Sequence, residues 1–60
     1  MKKDDALHLI LSEWLALPEA DRKTDEQATR FALKITENYP FKSSGDRYQV
    51  IHGFLTRRLA

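Results

Sequence analysis

Apolar residues return at helical spacing in three stretches of the chain. Between Thr24 and Tyr39, Ala28, Phe31, Ala32, Ile35 and Tyr39 share one narrow face, and Glu26, Arg30, Leu33, Lys34 and Glu37 fall outside it. Thr24 with Gln27 three residues on is the capping-box pattern, so a helix over 24–39 is predicted. Upstream, Leu7, Ile10, Leu11, Trp14 and Leu15 form a broad apolar arc, with Leu9, Ser12 and Glu13 outside it. This predicts a helix over 4–17 that Pro18 stops, because the residue before proline is pushed out of the α region. Downstream, Tyr48, Ile51, Phe54 and Leu55 form a third face, with Val50 and Leu59 at its margins and Asp46 as cap, for a helix over 46–59.

The connectors carry their own signals. PEADRK over 18–23 has an ordinary length for a helix–helix link, and Pro18 can open a short helical turn. NYPFKSSG over 38–45 places Tyr39 and Phe41 around Pro40, both expected to tuck back on the core. The sum is an all-α, compact three-helix domain over residues 1–60, closing a core around Phe31, Trp14 and Phe54. Gly53 is predicted on the outer side of the third helix, where it costs about 1 kcal/mol relative to alanine.

Length limits what such a domain can do. A chain of 60 residues buries only about 60% of the surface exposed by its unfolded form. Scaffolds of this size gain stability from disulfides, metals or partner chains. With no cysteine, disulfides and thiolate metal sites are excluded, and helix packing or self-association remains. No apolar run reaches the roughly 20 residues of a membrane span. Asp4, Asp5, His8, Ser12 and Glu13 interrupt any signal-peptide core, so a cytoplasmic protein is expected.

The net charge of +1 conceals an asymmetry. Residues 1–39 hold six basic and eight acidic side chains, whereas residues 40–60 hold Lys42, Arg47, Arg57 and Arg58 against Asp46. The basic end suits an anionic partner, or it complements the negative end of a helix dipole. A third helix bearing Arg47, Gln49, His52, Thr56 and Arg57 has the side-chain types of a major-groove reader. Against that, the connector before it is about twice the length of a helix-turn-helix turn. DNA binding is therefore the alternative reading.

Catalysis finds no support in the pattern. Asp4, His8 and Ser12 recur every fourth residue and match a triad in type, but a single helix face supplies no oxyanion donors and no pocket. His8 and His52 lack paired metal-ligand spacing and read as solvated imidazoles. Ser43-Ser44-Gly45 before a helix lacks the Walker pattern and reads as a capped turn. No enzyme activity, cofactor or metal is expected. Leu9 and Leu33 each stand among polar neighbours, and Gly53 offers a flat spot. A protein-contact surface is therefore expected at Leu9, Leu33, Gln49, His52, Gly53 and Arg57, serving a partner protein or a homodimer.

Three clusters of residues also carry a resemblance. Trp14…Leu17-Pro18, Thr24-Asp25-Glu26-Gln27-Ala28…Phe31-Ala32 and Gly45-Asp46…Tyr48-Gln49-Val50-Ile51…Gly53-Phe54-Leu55 resemble short open-reading-frame products of lambdoid bacteriophages and their prophages. The resemblance spans residues 14–55 and rests on caps, core aromatics and a proline stop. It implies a small accessory protein that binds a host or phage protein, and it carries no catalytic or binding residues over.

Overall fold

The computed structural model describes all 60 residues, Met1–Ala60. Three α-helices run in the order α1 (Lys3–Leu15), α2 (Asp25–Ile35) and α3 (Arg47–Thr56), with a short 3-10 turn over Glu19–Asp21 between the first two. There are no strands. The radius of gyration is 10.6 Å, against about 10.4 Å for a compact chain of this length. The helices form one globule in which α3 packs on both neighbours, most widely on α2.

Each helix is shorter than its apolar pattern predicts, and the ends show why. The 4–17 helix ends at Leu15, where Leu17 N–H turns to the Trp14 carbonyl at 3.1 Å in a tighter i to i−3 bond. Pro18 then serves as the N-cap of the 3-10 turn. The 24–39 helix ends at Ile35. Pro40 excludes Tyr39 from the α region and its ring clashes with the residue 36 carbonyl in a continued helix. Asn38 N–H accordingly bonds back to the Ile35 carbonyl at 2.9 Å. The 46–59 helix runs only over 47–56, closed by Arg58 N–H on the Leu55 carbonyl at 2.8 Å.

The caps divide. Thr24 and Gln27 form the predicted capping box: Thr24 Oγ1 accepts from Gln27 N–H at 3.1 Å, and Gln27 Oε1 accepts from Thr24 N–H at 3.0 Å. Gln27 also donates to the Ala20 carbonyl at 2.8 Å, so the same side chain ties the 3-10 turn to α2. Asp46 caps α3 by accepting from Tyr48 N–H at 2.8 Å, without a return bond from Gln49.

Nine residues are buried: Ala6, Ile10, Trp14, Ala28, Ala32, Ile35, Phe41, Ile51 and Leu55. The α1 contribution is Ala6, Ile10 and Trp14, of which Ile10 and Trp14 lie in the predicted arc and Ala6 outside it. Leu7 and Leu11 are half-buried and Leu15 is 54% exposed. Of the three expected core aromatics only Trp14 is enclosed. Phe31 meets it edge-on with ring centroids 5.2 Å apart. Phe54 is half-buried under the Arg58 guanidinium, 4.0 Å from its ring centroid. Phe41, from the second connector, is buried in the core. Tyr48 and Tyr39 are half-buried rather than core.

Candidate functional site

Two surfaces of the globule bear on function, and the first is a flank of α1. Turning Ala6, Ile10 and Trp14 inward leaves Leu15 54% exposed on the same helix, next to the half-buried Leu11. His8, Leu11, Ser12 and Leu15 line an open recess of about 250 Å³ there. His8 and Ser12, with Asp4, are exposed along this flank. Leu15 belongs to this surface and not to the core; sequence reasoning missed it because an apolar arc covering half a helix does not fix which residues turn inward.

The outer side of α3 is the second. Gln49, Gly53 and Arg57 recur at i, i+4 and i+8, so the fold brings these three predicted contact residues into one stripe. Gln49 and Arg57 are exposed. A Cβ added to Gly53 meets nothing within 4 Å, so open space, and no close neighbour, accounts for the glycine. Gly53→Ala is expected to raise stability by about 0.5–1 kcal/mol. Thermal unfolding followed by circular dichroism checks this, with an increase in midpoint of several degrees.

His52 leaves this stripe. Its Nε2 lies 2.8 Å from Asp25 Oδ1 at the start of α2, and its ring stacks on Tyr48 at 5.6 Å between centroids. Arg47, the other candidate base reader, donates to the Tyr39 carbonyl at 3.4 Å. Both side chains tie α3 to its surroundings. At the far end Arg58 donates to the Phe54 carbonyl at 2.8 Å, satisfying a last-turn acceptor as a cation at a helix C-terminus does.

The remaining two predicted residues stand alone. Leu9 on α1 is 41% exposed and Leu33 on α2 is 58% exposed. Leu33 shares the outer side of α2 with the Glu26–Arg30 ion pair, 2.8 Å long. No group of three His, Asp or Glu side chains converges on a common point.

One titratable group is shifted. Tyr39 donates its hydroxyl to Glu13 across the gap between α1 and the second connector. That hydrogen bond, then partial desolvation, then the negative charge of Glu13 hold the Tyr39 phenol above its usual value near 10. The raised value means the folded state holds the proton more tightly than the unfolded state. The stabilisation is therefore complete below about pH 10 and disappears as pH rises through the folded Tyr39 value. In a Tyr48→Phe background, tyrosinate absorbance is expected to develop at lower pH once Glu13→Ala is added. An unmoved midpoint would show that Glu13 does not hold the phenol.

The chain is thus a small all-α protein of three helices, and none of them is long and apolar enough to cross a membrane. Comparison with protein-family models, curated proteins and solved structures gives no match.

Proposed function

We propose that this chain is a non-enzymatic accessory or regulatory protein that acts through protein contact. Its partner in this reading is a host or phage protein met in the bacterial cytoplasm. The observation that carries the reading is the uncovered recess beside Leu15 on α1. Single exposed leucines are ordinary. Two leucines edging one recess, in a molecule with only nine buried residues, are a surface that gains by being covered. Full burial of a leucine side chain contributes about 1.5–3 kcal/mol, so covering the half-exposed Leu15 alone supplies roughly 1 kcal/mol of binding. The resemblance of residues 14–55 to lambdoid phage products supports the phage or prophage origin.

A tagged chain passed through nuclease-treated bacterial lysate tests this reading. A specific protein is expected to be retained, and to be lost on Leu9→Glu, Leu15→Glu or Leu33→Glu. Retention of no protein by the parent chain counts against it. Duplex DNA affinity that falls steeply with salt, and vanishes with Arg47→Ala and Arg57→Ala, would replace it by the DNA reading.

A further inference from the structure

We draw no further inference here: the strongest candidate, the recess on the flank of α1 lined by His8, Leu11, Ser12 and Leu15, is an unpartnered apolar face, and nothing in the structure shows what covers it.

Discussion

Replacing Trp14 by alanine is expected to cost about 3–5 kcal/mol and to leave the chain largely unfolded. Trp14 is the largest fully buried side chain. It holds three parts of the molecule at once. It belongs to α1, its ring meets Phe31 of α2, and its Nε1–H donates a long 3.4 Å hydrogen bond to the Arg58 carbonyl beyond α3. A domain of this length has a total stability of about 3–9 kcal/mol, at 0.05–0.15 kcal/mol per residue. The loss is therefore comparable to the whole. Trp14→Phe keeps most of the apolar volume and gives up the hydrogen bond, so it is expected to remain folded with a lower midpoint. Urea unfolding followed by circular dichroism compares the two. A Trp14→Ala chain that melts like the parent would show that the core is closed without this residue.

Ile51 is the second position where a single change decides the fold. It is fully buried and, with Leu55, forms the face of α3 that meets both other helices. Ile51→Ala is expected to cost about 2–5 kcal/mol and Ile51→Val about 0.5–1.5 kcal/mol. At about 4–8 °C per kcal/mol for so small a domain, the valine variant should melt roughly 2–12 °C below the parent. The alanine variant is expected to lack a cooperative transition. Equal effects of the two substitutions would mean that the site collapses around whatever it holds.

The local chemistry of the fold was legible before any coordinates. The class, the number of helices and the Thr24–Gln27 box follow from spacing and caps, since these depend on residues four or fewer apart. The outward placement of Leu9 and Leu33 was legible too. The inward face of α1 was legible in part: Ile10 and Trp14 lie in the expected arc and are buried, whereas Ala6 enters from outside it and Leu15 is exposed. Its apolar residues occupy adjacent lines, Ala6–Ile10–Trp14 and Leu7–Leu11–Leu15, and helical periodicity accepts either. Packing decides: with Trp14 enclosed, Ala6 and Ile10 of the same line are buried with it and Leu7 and Leu11 pack at the margin. The candidate site changed with that choice. Leu15 moved from core to surface and brought Leu11 with it to the edge of the recess. His52, an expected contact residue, pairs with Asp25 at the surface between α3 and α2. That 27-residue separation is a tertiary pairing with no local signature. Phe41 likewise entered the core from a connector, where no periodicity exists to announce it.

Three of the nine core residues are alanine, so the molecule encloses few large side chains. Unfolding enthalpy scales with size, and for this chain amounts to roughly 40 kcal/mol near 60 °C. Its heat-capacity change stays below about 1 kcal/mol/K. With so little heat absorbed, melting spreads over roughly 20 °C in place of a narrow step. The folded population consequently drifts with temperature rather than switching. A molecule that bound the folded chain alone would raise the folded fraction gradually across that range, in step with its concentration.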